Sequence, residues 1–174
     1  MNKKRIARLN AIEKQDAIQQ EIKKFLRMNK NIVYGVRSIN AQANILTRPT
    51  QDWDAYAKNP KKTSNKLQRE LDKIIGGNYF YSKPAQHKGT WKVKTIGDDL
   101  KQNTFDDEEI ADFSIQEKKN KIITIDGIRY RSLKEEIKAK QKSLSEKEMK
   151  FRHAKDQGDL NRIRSNMKIK RLLN

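Results

Sequence analysis

Ile32-Val33-Tyr34-Gly35-Val36-Arg37-Ser38-Ile39-Asn40-Ala41-Gln42, followed by Arg48-Pro49-Thr50-Gln51-Asp52-Trp53-Asp54, is the stretch on which the fold reading turns. A short apolar run stops at Gly35, a helix-compatible segment follows, and two carboxylates then occupy alternate positions. A glycine that ends a strand lets a phosphate approach the backbone, and a helix starting there offers N–H groups and a favourable dipole. Alternate residues of a strand point to one side, so Asp52 and Asp54 share a face. Together they outline a metal-dependent phosphate site. With 22 acidic residues in the chain, an Asp-x-Asp pair alone says little, and the order and spacing lift it.

Working outward, residues 3–29 read as one helix, with Ile6, Leu9, Ile12, Ile18, Ile22, Phe25 and Leu26 at helical spacing. Ile32 to Tyr34 is a buried strand, and Arg37 to Leu46 a helix. Trp53 to Ala57 forms the next strand, closed by Asn59-Pro60, and Thr63 to Ile75 an amphipathic helix stopped by Gly76-Gly77. Tyr79 to Tyr81 and Thr90 to Ile96 flank a turn at Pro84 to Gly89 as a hairpin. The acidic stretch Gly97 to Glu109 is a loop before a strand at Ile110 to Ile115. Ile122 to Ile125 and Ile128 to Arg131 form a second hairpin around the Asp126-Gly127 turn signal. Ser132-Leu133-Lys134-Glu135 opens a helix as a capping box, and two further helices cover 145–157 and 159–172.

The 174 residues suit one domain with helical appendages: a basic N-terminal helix (1–30), an α+β core with a small mixed sheet (31–131) and a basic helical C-terminal region (132–174). Hydrophobic residues make up 34% and charged residues 36%, so the core is modest and the helices long and solvated. The net charge of +18 favours a polyanionic partner, nucleic acid before an anionic membrane surface. Segment charges are +6 for 1–30, +8 for 31–97, −7 for 98–117, +6 for 118–159 and +5 for 160–174, so one acidic segment interrupts a basic chain. In the acid-free last segment, Arg162, Arg164, Lys168, Lys170 and Arg171 are the candidate nucleic-acid contacts. The absence of cysteine excludes disulfides and thiolate chemistry, and two histidines argue against a histidine-rich zinc site. No run has the length to insert into a membrane, and the basic N-terminus lacks an apolar signal core. A cytoplasmic protein is expected, in a host cytoplasm or packaged in a virion.

The ordered set of the glycine segment, Asp52-Trp53-Asp54 and Ile110-Ala111-Asp112-Phe113 resembles the nucleotidyltransferase superfamily of the DNA polymerase beta type. The likeness is to small minimal members, toxin-like members of abortive-infection systems and poly(A)-polymerase-like proteins of large DNA viruses. Ser132-Leu133, Arg152-His153-Ala154-Lys155-Asp156 and Asp159-Leu160 are similar to the helical segment of the toxin-like members. The resemblance implies two Mg2+ ions and a nucleoside triphosphate, with Asp52, Asp54 and Asp112 as metal ligands and catalytic carboxylates. It also implies that Gly35, Val36, Arg37 and Ser38 bind the nucleotide. Val36 departs from the glycine or serine usual after the first glycine of that motif.

The implied activity is Mg-dependent transfer of a nucleoside monophosphate to a hydroxyl of a nucleic acid, RNA favoured, or of a protein. Two alternatives stand beside it: a catalytically weakened fold acting as a basic nucleic-acid-binding or virion structural protein, whose terminal helices meet a capsid or other protein, and the toxin of a defence toxin-antitoxin pair. Duller readings stand beside the residues too. Gly35 serves as a plain strand stop, Asp112 as one more acid beside the acidic loop, and Asp126 as a turn residue. Trp53 and Trp91 read as core, His87 as a loop histidine with the alternative of touching a nucleotide or acceptor, and the Arg152 to Asp156 group as a structural ion pair.

Overall fold

The computed structural model describes residues 3–43, 50 and 52–173, the side chains of 168–173 excepted. Two compact units interleave along the chain: Met1–Ile32 with Gln51–Lys118, and Val33–Thr50 with Lys119–Asn174. The architecture is the expected α+β class, a mixed sheet with helical N- and C-terminal segments.

In the first unit, strands β2 (Trp53–Tyr56), β3 (Phe80–Pro84), β4 (Trp91–Thr95) and β5 (Glu109–Ser114) lie in the order β3-β4-β5-β2. β2 and β5 are parallel, while β4 is antiparallel to both β3 and β5. Burial alternates along β2 and β5, so one sheet face carries the apolar residues. Trp53, Ala55, Val93, Ala111 and Phe113 form that face, and the helices supply Ile22, Phe25, Leu26, Leu67, Leu71 and Ile75, all buried. The Phe25 and Phe113 rings meet at a centroid distance of 6.3 Å. Helix α4 (Pro60–Ile75) starts three residues before the expected Thr63. Asn59-Pro60 is its cap rather than a strand stop: the Asn59 side chain accepts the Lys62 N–H and Pro60 takes the first helical position. At its other end Gly76 adopts φ 71°, the left-handed cap that glycine makes without strain.

The expected helix over 3–29 is two, α1 (Lys3–Glu13) and α2 (Gln15–Met28), hinged at Lys14. The amide ladder runs through the hinge, with Lys14 N–H donating to Asn10 O and Ile18 N–H to Lys14 O, both at 2.9 Å. Side chains at the bend reach the last carbonyls of α4: Asn10 Nδ2 donates to Ile75 O at 2.8 Å and Lys14 Nζ to Ile74 O at 2.9 Å. Carbonyls that α4 leaves unpaired are thereby satisfied by α1. The stripe Ile6, Leu9 and Ile12 faces outward, and α1 instead buries Ala7 and Ala11. Close approach decides this, because a Cβ on Gly77 would lie 2.8 Å from that of Ala7 and only small residues fit.

The acidic loop folds around two of its own carboxylates. Asp107 accepts from Gly97 N–H, Thr104 N–H and the Tyr81 hydroxyl, and Asp106 from Asp98 N–H and the Thr104 hydroxyl. Much of the acidity of this segment therefore serves as turn chemistry.

The second unit carries the hairpin β6 (Ile122–Ile125) and β7 (Ile128–Arg131), whose turn residues Asp126 and Gly127 have φ of 49° and 75° as a two-residue hairpin requires. It also holds α3 (Val36–Ala43), α5 (Leu133–Ser145), a 3₁₀ turn (Lys147–Arg152) and α6 (His153–Leu173). The chain between the two units passes through the short strand β1 (Ile32–Val33). Ser132 caps α5 by accepting the Glu135 N–H. Ile39, Ala43 and Ile163 form the apolar core with Leu133 and Ile137. The two helices expected over 145–157 and 159–172 are instead a 3₁₀ turn and one helix that runs through Gly158. Buried charge holds that helix: Lys140 Nζ lies 2.9 Å from Asp156 and 2.8 Å from Asp159, acids that flank the glycine.

Candidate active site

The polar face of the first unit's sheet is built by register. Asp54 stands opposite Asp112 on β2 and β5, Asp112 opposite Lys92 on β5 and β4, and Lys92 opposite Lys83 on β4 and β3. Directly opposed residues on neighbouring strands project to the same face. Asp54, Asp112, Lys92 and Lys83 therefore form one row across four strands, two carboxylates followed by two ammonium groups. Asp52 precedes β2 and shares the side of Asp54 by strand alternation.

Asp112 has the most perturbed acid of the row. Its side chain is 15% exposed, and Oδ1 is buried with no hydrogen-bond partner among the described residues. Burial, with the neighbouring Glu109 and Asp52 charges, pushes its carboxyl up to about 6 against the pull of Lys92. Lys92 Nζ lies 2.5 Å from Glu109 Oε2 and 3.9 Å from Asp112 Oδ2. Burial opposes the Lys92 charge, yet the hydrogen bond it donates to Glu109 and the fields of Glu109, Asp112 and Asp54 hold its pKa above the ordinary lysine value. An internal cation thus already sits among the carboxylates. Among the described residues no three carboxylates or histidines converge on one metal position.

Beside the row opens a cleft of about 440 Å³. Its walls include Lys83, His87, Lys92 and Lys94 together with Glu109 and Asp112. The hairpin turn that carries His87 is closed by Ala85 N–H donating to Thr90 O and Thr90 N–H to His87 O. His87 is exposed on this loop.

The glycine turn belongs to the second unit. Gly35 has φ 74°, a conformation that favours glycine. Its N–H donates to Glu136 Oε1 at 2.9 Å, and Glu136 in turn takes two hydrogen bonds from Arg131, Nε to Oε1 at 2.9 Å and Nη2 to Oε2 at 2.6 Å. Burial pushes the Glu136 carboxyl up, while Arg131 and the Gly35 N–H pull the other way. Val36 is buried, and Ser38 donates its hydroxyl to Arg131 O at 2.6 Å. Arg37 Nη2 donates to Thr50 O at 3.0 Å.

Among the other expected site residues, Arg162 and Arg164 are exposed on α6, with Arg162 paired to Asp159 at 3.0 Å. Lys168, Lys170 and Arg171 have side chains outside the described residues, as do Arg48, Pro49 and Gln51 altogether. Trp53 is core, its indole N–H on Gln19 Oε1 at 2.9 Å, whereas Trp91 is half-buried with Lys61 Nζ 5.2 Å from the ring centroid. The Arg152 and Asp156 pair is an ion pair at 3.7 Å, part of the Lys140 network. Sequence reasoning missed Lys83, Lys92, Lys94 and Glu109. Only the alternation Lys92-Val93-Lys94 hinted at a charged strand face, and the acids opposite it require the register.

No protein-family model matches the chain, and no curated protein does. Among solved structures the chain is similar to the Megavirus polyadenylate synthase, at 19% identity and a TM-score of 0.67 over 90% of this chain and 32% of that one. It is also similar to JHP933 from Helicobacter pylori, at 12% identity and a TM-score of 0.48 over 72% of this chain and 53% of that one. The chain thus spans about a third of the length of the viral synthase and shares the fold of that part of it. No helix among the described residues is long and apolar enough to cross a membrane.

Proposed function

We propose that this chain transfers a nucleoside monophosphate from a nucleoside triphosphate to a hydroxyl of a nucleic acid, with RNA the favoured acceptor. The observation that carries this is the cross-strand pair Asp54 and Asp112, with Asp112 Oδ1 buried and without a hydrogen-bond partner among the described residues. A buried carboxylate oxygen left in that state fits completion by a hard cation. Asp54 and Asp112, paired across the strands, and Asp52 on the side of Asp54 do not converge on one position in the described structure, and they are the residues that would hold Mg2+ once drawn together around it. Bound there, the metal would supply Lewis-acid stabilisation of charge on the transferring phosphoryl group.

The chain's own residues then have distinct parts. Asp112 takes the proton of the acceptor hydroxyl as general base. The hydroxyl oxygen forms a bond to the α-phosphorus, the bond from that phosphorus to the bridging oxygen breaks, and pyrophosphate leaves with the electron pair. Lys92, held by Glu109, orients the carboxylates and offsets their mutual repulsion. Magnesium-dependent binding of nucleoside triphosphate, measured beside Asp52→Asn/Asp54→Asn with circular dichroism on both, tests the reading. Metal-requiring binding that the double variant loses is expected; a folded double variant that still transfers nucleotide would sink it.

A second reading, a basic nucleic-acid-binding protein that keeps the fold without catalysis, is favoured by one observation. The Gly35 N–H is already bound by the Glu136 carboxylate. It expects steeply salt-dependent nucleic-acid binding with no metal requirement.

A further inference from the structure

We propose that the β3–β4 hairpin is an acceptor subsite for single-stranded nucleic acid, oriented by the charge row so that a terminal 3′ hydroxyl meets Asp112 and the phosphates on its 5′ side meet Lys83 and Lys94. The inference rests on the transferase reading for what Asp112 does, and on the hairpin alone for where the strand lies.

The row has polarity. From Asp112 one strand spacing leads to Lys92 and a second to Lys83, about 4.8 Å each. Lys94, two positions beyond Lys92 on β4, lines the same cleft as Lys83 and His87. Lys92 is committed to Glu109, so it divides a carboxylate end from a cationic end. Lys83 reaches Asn103 Oδ1 at 2.6 Å, a neutral partner that leaves its charge uncompensated. A polynucleotide end presents the complementary pattern, a neutral hydroxyl followed by regularly spaced anions. A strand entered the other way would set phosphates against Asp54 and Asp112. Gln86 and His87, both exposed on the hairpin turn, line the same cleft and provide polar edges beside the path.

The experiment measures binding of short single-stranded oligonucleotides by fluorescence anisotropy, without metal or nucleoside triphosphate, so that a dead catalytic centre does not affect it. RNA and DNA of one sequence are compared, each ended by a 3′ hydroxyl or a 3′ phosphate. Proteins are the wild type, Lys83→Gln/Lys94→Gln and Arg162→Gln/Arg164→Gln, with circular dichroism and melting temperature checked for each. We expect the hairpin variant to weaken binding roughly tenfold and to flatten the slope of log K against log salt by about 1.4, the loss of two single-strand phosphate contacts. The 3′-phosphate ends should bind several-fold more weakly than the hydroxyl ends to the wild type and to Arg162→Gln/Arg164→Gln, both of which keep the hairpin and the carboxylates, on the order of a single charge repulsion. The tighter of RNA and DNA identifies the acceptor. Unchanged affinity and slope in a folded hairpin variant, equal binding of the two ends, or no binding of either nucleic acid by the wild type would overturn the subsite. Loss confined to the Arg162→Gln/Arg164→Gln variant would place the nucleic acid on α6 instead. Nucleotide binding at Asp52 and Asp54 is read separately, and either result can fail while the other stands.

Discussion

The carboxylate of Glu136 accepts the Gly35 N–H at 2.9 Å while paired to Arg131, so the turn that opens α3 is held from within the second unit by a buried acid. Its anchor comes from a residue 101 positions later in the chain. Glu136→Ala would remove that anchor and leave Arg131, 12% exposed, without its anion. Breaking a buried pair from one side costs about 3–5 kcal/mol, and the lower end is expected because Arg131 also lies 5.2 Å from the Tyr34 ring. Urea unfolding should show this loss, and Glu136→Gln, which keeps acceptor geometry for the Gly35 N–H, should recover part of it.

The pH dependence of stability should carry the mark of Asp112. Unfolded, its carboxyl titrates near the ordinary value of about 3.9, while folded it holds its proton up to about 6. The folded state therefore binds more protons between those limits, so stability falls as pH rises from about 4 to about 6 and stays at the lower level above. The interval corresponds to roughly 3 kcal/mol at most. Asp112→Asn should abolish that fall and be more stable than the wild type at neutral pH by roughly 1–3 kcal/mol, the range allowing for an amide that is itself imperfectly paired. Thermal melts across the acid range check both the sign and the position of the change.

The shared side of Asp52 and Asp54 was legible in the sequence because strand alternation acts over a few positions, and local rules also located both hairpins and the Ser132 cap. Asp112, by contrast, entered through the family resemblance, and its place opposite Asp54 depends on the pairing of β2 with β5. Lys92 and Lys83 were not legible, because their place beside Asp112 depends on the register of three strands separated by the acidic loop. The outward stripe Ile6, Leu9 and Ile12 misled for a related reason. Periodicity finds an apolar face, but close packing at Gly77 selects the alanine face. The helices expected over 145–157 and 159–172 leave Gly158 as a boundary, whereas one helix runs through it with Lys140 paired to the acids on either side, a long-range contact that local spacing does not show.

Those pairs give a third expectation. Lys140 is 7% exposed, between carboxylates that are 1% and 0% exposed. Burial pushes the Asp156 carboxyl up, but the Lys140 ammonium holds it below the ordinary value on balance. Its pairing thus contributes stability above the unfolded carboxylate pKa and loses it as pH falls through the lower folded value. Lys140→Met would strand two buried acids and cost about 3–5 kcal/mol at neutral pH. Chemical denaturation at neutral and acid pH should show the deficit shrinking in acid, where the variant's carboxylates are neutral.

Lys92 decides how strongly the row calls for an external cation. Its ammonium, 2.5 Å from Glu109 and 3.9 Å from Asp112, already offsets part of the negative charge gathered by Asp54, Asp112 and Glu109. Lys92→Gln removes that offset and leaves the acids to repel one another. In the presence of a chelator the variant should melt below the wild type. A magnesium ion held by the folded row and not by the unfolded chain, as the proposed function requires, would stabilise the variant by RT ln(1 + [Mg]/Kd), about 2.7 kcal/mol at a hundredfold excess over Kd. The rise in melting temperature on adding magnesium should be larger in Lys92→Gln than in the wild type, and absent when Asp54→Asn and Asp112→Asn are added. An equal rise in all three proteins would place the magnesium effect elsewhere on the molecule.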